Sequence, residues 1–140
     1  MVEESQLKYW RDAGHVARRA LEAMKLELQP GKTFHEIIES AERFIHRHGG
    51  KPAFPGTIAV NDMAAHFTTN HNIDGVDGWN GDDVLAKGDL VKIDFGVHIK
   101  GHIGDNALTM EIGNSNNHTE QIKAAKEARD AAVELSLIHI

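Results

Sequence analysis

Apolar or small residues recur from Leu7 at positions 7, 10, 14, 17, 21, 24 and 28, a spacing that alternates three and four and predicts one face of a long helix. Pro30 and Gly31 end it. Thr33 and Glu36 have the spacing of a capping box, and Ile37, Ile38, Ala41, Phe44 and Ile45 supply the stripe of a second helix that Gly49 and Gly50 close. Both helices read as scaffold. PGKT at 30–33 is not a phosphate loop, because the earlier glycine is missing and a helix rather than a strand precedes it.

From Lys51 to Gly113 the pattern changes to short strand-like runs punctuated by glycine, asparagine and aspartate. Residues 70–83 read as an exposed excursion between strands. The clearest stretch begins at Asp89: Val91, Ile93, Phe95, Val97 and Ile99 are apolar while Lys92, Asp94, Gly96 and His98 are polar or small, the period of a half-buried strand. Lys100 and Gly101 suit a two-residue turn, so a hairpin is predicted. With Ile99 opposite His102, Asp94 pairs with Ala107 and Asp105 with Gly96, which puts both carboxylates on one face at diagonal positions about 7–8 Å apart. A slip of one residue would separate them. Beyond a polar loop, residues 120–134 read as a helix capped near Asn117. The last six residues, LSLIHI, break the amphipathic pattern without a turn signal; they resemble a translated sequencing adapter, the alternative being the start of a natural buried strand. The expected division is therefore one domain portion over 1–134 and a non-native tail over 135–140, with the natural chain continuing elsewhere.

Composition narrows the chemistry. The 140 residues are enough for one domain that buries about 68% of its unfolded surface. No run approaches the roughly 18 apolar residues of a membrane span, and MVEESQLKYWRD lacks the basic-then-apolar order of a secretory signal, so a cytoplasmic chain without membrane association is expected. The formal net charge of -6 argues against nonspecific nucleic-acid binding as the main role, and no specific nucleic-acid partner is expected. With no cysteine in the chain, any metal has to be held by His, Asp or Glu.

Asp94 and Asp105 are the leading candidates. Two half-buried acids facing each other repel, and a cation relieves that cost; the alternative is that one of them simply faces solvent at a hairpin edge. Carboxylates so placed can bridge a metal pair. His66, after Ala64 and Ala65 in an otherwise apolar stretch, reads on its own as a satisfied core histidine, with hydrogen bonding to a substrate amide as the functional alternative. His98 shares the acidic face and His102 lies on the other; neither is expected to be a ligand.

Three segments taken in order, PGKTFHEI, PAFPGTIAVNDMAAHFTT and GDLVKIDFGVHIKGHIGDNALT, resemble the methionine aminopeptidases, and within them the short archaeal form of the type II branch. The resemblance runs from about Leu7 to Glu134. It implies an α+β creatinase/aminopeptidase "pita-bread" fold, of which this chain holds the first half only, an antiparallel curved sheet flanked by helices. It implies that Asp94 binds one metal through both oxygens, that Asp105 bridges two, that His66 is catalytic and contacts the substrate, and that Phe54 lines the methionine pocket. The cofactor implied is a pair of divalent ions, Co, Mn, Fe or Zn. The reaction implied is hydrolytic removal of the initiator methionine from nascent polypeptides with a small second residue, at the ribosome or after release, by a protein that is a monomer when complete. The family's other ligands, a histidine and two glutamates, have no counterpart here, so these 140 residues alone are expected to be inactive. Many relatives have Asp-Gly where this chain has Lys100 and Gly101. A proline-specific peptidase of the same fold and a non-enzymatic member that binds ribosomes or nucleic acid are the alternatives. AFP together with AAH argues against the first, and the retained pair of aspartates argues against the second.

Overall fold

The computed structural model describes residues 3–69 and 83–137. Two helices come first, α1 (Glu4–Glu27) and α2 (Phe34–Arg47), followed by the short strands β1 (Lys51–Pro52) and β2 (Thr57–Val60). A long hairpin, β3 (Leu90–Ile99) and β4 (His102–Glu111), and a last helix, α3 (Thr119–Leu137), complete the order. The sheet is antiparallel, with β3 at its centre: β4 pairs along one side, and β1 and β2 share the other. Among the described residues no helix is long and apolar enough to cross a membrane.

The capping box forms as predicted. Glu36 N–H donates to Thr33 Oγ1 at 3.1 Å, and Thr33 N–H donates to Glu36 Oε2 at 2.9 Å. Donation from Thr33 N–H, and next from the Thr33 hydroxyl, holds the Glu36 carboxyl below its ordinary range. Ile37, Ile38, Ala41 and Ile45 then face α1 and the sheet, where Ile58, Val91, Ile93, Phe95 and Val97 close the core. Full burial of one such side chain is worth about 1.5–3 kcal/mol, so this layer supplies most of the stability.

The helix stripe on α1 needs correcting at its start. Ala13, Val16, Ala17, Ala20, Leu21 and Met24 are buried, but Leu7 and Trp10 remain 37% and 39% exposed. They lie toward the hairpin tip, where Trp10 packs edge-on against His102 at 4.6 Å instead of entering the core. Farther along, α1 touches β4 directly, and a Cβ on Gly104 would stand 2.6 Å from the backbone nitrogen of Gly14. Side-chain patterning carries no trace of this backbone contact.

Register follows the turn as expected, with Ile99 opposite His102, Asp94 opposite Ala107 and Gly96 opposite Asp105. Both turn residues have positive φ, 50° at Lys100 and 82° at Gly101. A left-handed non-glycine residue costs on the order of 1–2 kcal/mol. Lys100 offsets part of that: its Nζ donates to Tyr9 Oη at 3.0 Å and sits 4.7 Å from the ring centroid, tying the tip to α1.

Two segments differ from expectation. Asp83–Leu85 pairs with the turn before α2, through Phe34 N–H to Asp83 O at 2.9 Å and Leu85 N–H to Lys32 O at 2.9 Å, and Leu85 is buried. The rest of the expected excursion, residues 70–82, lies outside the described residues. α3 begins one residue earlier than expected and continues through Ser136 and Leu137, into the segment expected as a tail, while residues 138–140 lie outside the described residues. Its start is preceded by Glu111, whose carboxylate accepts from the N–H groups of Asn117 at 3.2 Å and His118 at 2.9 Å.

Candidate metal centre and substrate cavity

Helices α1 and α2 cover one face of the hairpin, so the alternation along β3 sends Lys92, Asp94, Gly96 and His98 to the other. On β4 the residues of that second face include Asp105 and Ala107. Asp94 and Asp105 therefore share a face across adjacent strands, with Gly96 and Ala107 as their direct partners. Small partners keep the space between the two acids clear.

The two carboxyls differ in environment. Asp105 is exposed, whereas Asp94 is half-buried and its Oδ1 is fully covered with no hydrogen-bond partner. Burial, then the like charge of Asp105, pushes the Asp94 carboxyl above its ordinary range, and nearby His66 pulls it back in part. A buried acceptor left alone costs about 1–3 kcal/mol, a cost that a divalent cation would relieve. Hard oxygen donors, an orphaned buried oxygen and facing negative charges together fit a divalent ion. Among the described residues, no third His, Cys, Asp or Glu joins these two in a group able to hold a metal.

His66 reaches this face from the loop after β2. Expected on local grounds to be a core histidine, it is exposed instead and sits at φ 64°, a left-handed conformation that turns the chain back toward β2. Its neighbours Ala64 and Ala65 are exposed as well, so the apolar run does not mark burial there.

Phe54 arrives from the other side. A Cβ on Gly96 would fall 2.2 Å from Cε1 of Phe54, so the aromatic ring occupies the volume that any other residue at 96 would fill. The ring thereby forms one wall of an open cavity of about 420 Å³ lined also by Pro55, Thr57, His66, Thr68, Asp94 and Asp105. All four residues singled out in the sequence meet in this cavity. His98 and His102 do not: the first accepts from Gly101 N–H at 3.4 Å near the turn, and the second packs against Tyr9 and Trp10 on the opposite face.

Sequence reasoning passed over Thr57 and Thr68. Thr57 is the cross-strand partner of Asp94, and Thr68 Oγ1 donates to Gly56 O at 2.8 Å. The alternation of HFTT after His66 was the available signal for Thr68; for Thr57 only the pairing of β2 with β3 reveals the position.

Comparison with known proteins places this geometry in a family. A methionine aminopeptidase of Archaeoglobus fulgidus is 39% identical over 124 residues, covering 89% of this chain and 39% of that protein. One of Methanothermus fervidus is 36% identical over 129 residues, covering 87% of this chain and 62% of the relative. Among solved structures, a methionine aminopeptidase of Thermotoga maritima superposes with a TM-score of 0.80 at 23% identity, covering 94% of this chain and 52% of the other. A prolidase of Pyrococcus horikoshii superposes with a TM-score of 0.76 at 28% identity, covering 94% and 36%. The chain thus spans about two-fifths of the first of these relatives, and its architecture is that of one part of the pita-bread fold. Residues 8–137 match the model of metallopeptidase family M24, and with an acid pair suited to a divalent cation on the open face of its hairpin, the chain belongs to that family of metal-dependent peptidases.

Proposed function

We propose that Asp94, Asp105, His66 and Phe54 form the first part of a methionine aminopeptidase site, which removes the initiator methionine from nascent polypeptides in the cytoplasm. The observation that carries this reading is the convergence of an acid pair, an exposed histidine and an aromatic wall on one cavity large enough for a methionine side chain. The naming of the relatives at 36–39% identity supports it.

Asp94 and Asp105 would hold two divalent ions, Co, Mn, Fe or Zn, with further donors from elsewhere in the complete protein. Bound there, the ions supply Lewis acidity at the scissile carbonyl and lower the pKa of water at the site. The chain's own residues bind and orient. Phe54, packed against Gly96, offers its ring to a thioether side chain, a contact worth about 0.3–1.5 kcal/mol. His66 projects beside the acids, placed to hydrogen-bond a peptide amide and fix its orientation. Pro55 and the hydroxyl-bearing Thr57 and Thr68 complete the wall.

The test uses the complete protein with Met-Ala-Ser, Met-Lys-Ser and Ala-Pro as substrates. Release of methionine from Met-Ala-Ser, little from Met-Lys-Ser and no cleavage of Ala-Pro is the expected result. Cleavage of Ala-Pro with Met-Ala-Ser untouched would replace this reading by the prolidase activity named for one structural neighbour; cleavage of none would discard it. In the same protein His66→Ala should lower turnover with metal content unchanged by elemental analysis.

A further inference from the structure

The mechanism leaves Lys92, on the open face of β3, unused. Lys92 precedes Asp94 by two residues on β3 and so points to the same side. Its ammonium does not turn to the acid pair: Nζ donates to the backbone carbonyl of Asn61 at 2.7 Å.

Asn61 is the first residue after β2, where the loop that carries His66 begins, and it has φ 55°. Four contacts converge on it. Its backbone N–H donates to Leu90 O at 2.9 Å, and its side-chain oxygen accepts from Leu90 N–H at 2.9 Å. Its Nδ2 donates to Asp89 Oδ1 at 2.9 Å, and the other oxygen of Asp89 accepts from Ala86 N–H at 2.7 Å. Lys92 closes the set from within the strand. At the far end the loop is tied by Ile58 N–H to Phe67 O at 2.8 Å. His66 stands immediately before that second tie.

The loop therefore runs between two hydrogen-bonded anchors, with Met63 packed against the core near its start, and the entry anchor includes a side chain of the same strand that carries Asp94. Between the anchors, Ala64 and Ala65 help line a cavity of about 180 Å³ together with Lys92, Asp94 and Ala107, so the loop and this part of β3 face the same space. An exposed hydrogen bond of this kind adds little to overall stability, which leaves registration as its physical effect.

We propose that Lys92 is a positioning residue: by gripping the Asn61 carbonyl it sets the height of the His66 loop over β3 and so the placement of His66 relative to Asp94 and Asp105. Its effect on turnover rests on the peptidase reading above, whereas its effect on the loop does not. Misplacing a contacting group by about 1 Å can cost on the order of a hundredfold in rate.

The experiment compares Lys92→Met, which keeps the stem and loses the donor, with Lys92→Arg, which restores one, in the complete protein. With Met-Ala-Ser, Lys92→Met should lose about tenfold or more in kcat with KM within about twofold and an unchanged melting temperature, and Lys92→Arg should recover most of the loss. In parallel, hydrogen exchange at the amides of residues 62–66 should speed up about tenfold in Lys92→Met, while the Ile58 amide stays protected. Unchanged kcat, a loss that Arg does not rescue, or a loss that follows a fallen melting temperature would overturn the role. If the unaltered protein releases no methionine, the reaction assignment fails separately, and the exchange data alone decide: faster loop exchange upholds the clasp and unchanged exchange removes it.

Discussion

The two faces of the β3–β4 hairpin are made by the same residues taken alternately, yet they obey opposite rules. Toward the helices, Val91, Ile93, Phe95 and Val97 are buried against an apolar layer. On the other side β3 presents a lysine, an aspartate, a glycine and a histidine, and the fully covered Oδ1 of Asp94 has no partner. One face holds the fold together; the other departs from the rules of stable packing where a cation and substrate would complete it. The contrast makes mutational effects on stability diverge in sign as well as in size.

The largest effect belongs to the packed face. Phe95→Ala removes an almost completely buried ring and should cost about 3–5 kcal/mol, read from the denaturant midpoint of the 140-residue chain. Gly104→Ala comes next. Its added methyl would meet the backbone of Gly14 and Ala13 rather than a movable side chain, so α1 must shift, with a loss of about 1–3 kcal/mol. An unchanged midpoint would mean that helix and strand are not in backbone contact.

On the open face the sign reverses. Asp94→Asn should leave the metal-free chain as stable as before or firmer by less than about 1 kcal/mol at pH 7, since it removes the charge that burial and Asp105 oppose, while metal content of the complete protein falls. Denaturant melts paired with elemental analysis check both halves, and a destabilised variant that kept its metal would contradict the site.

The smallest effect is the pH slope. Asp94 has its carboxyl raised, so the folded chain binds the proton more tightly than the unfolded one. Its contribution therefore favours folding as pH falls into the window just above 3.8 and fades as pH rises past the raised value. Glu36 behaves oppositely: lowered by Thr33, it stabilises above 4.5 and its contribution disappears as pH falls through the folded value. Subtracting the pH profile of Asp94→Asn from that of the unaltered chain should isolate the first slope, and Glu36→Gln the second; slopes of equal sign would refute the assignment.

The packed face was the more legible one. Alternation along β3, with Lys100 and Gly101 at the turn, determined the register and hence the common face of Asp94 and Asp105, because a period of two excludes every odd slip and the two-residue turn fixes the alignment among the rest. The capping box announced α2 from two residues. What escaped was long-range. Leu85 pairs with a turn more than fifty residues away in the chain, and nothing local to VLAKG requires it. His66 read as buried because its neighbours are alanines, but Ala64 and Ala65 are exposed as well; a substrate hydrogen bond was the local alternative, and the family resemblance favoured it. Asn61 carried a local signal, a residue tolerant of positive φ, that went unread.

Gly96 lies behind the cavity, with the Phe54 ring where a methyl would otherwise project. The position of the aromatic wall is thus set by an atom that residue 96 lacks. Enlarging position 96 would displace the ring and reshape the cavity, so a protein of this architecture could be retuned in the side chains it admits from a residue that does not line the cavity.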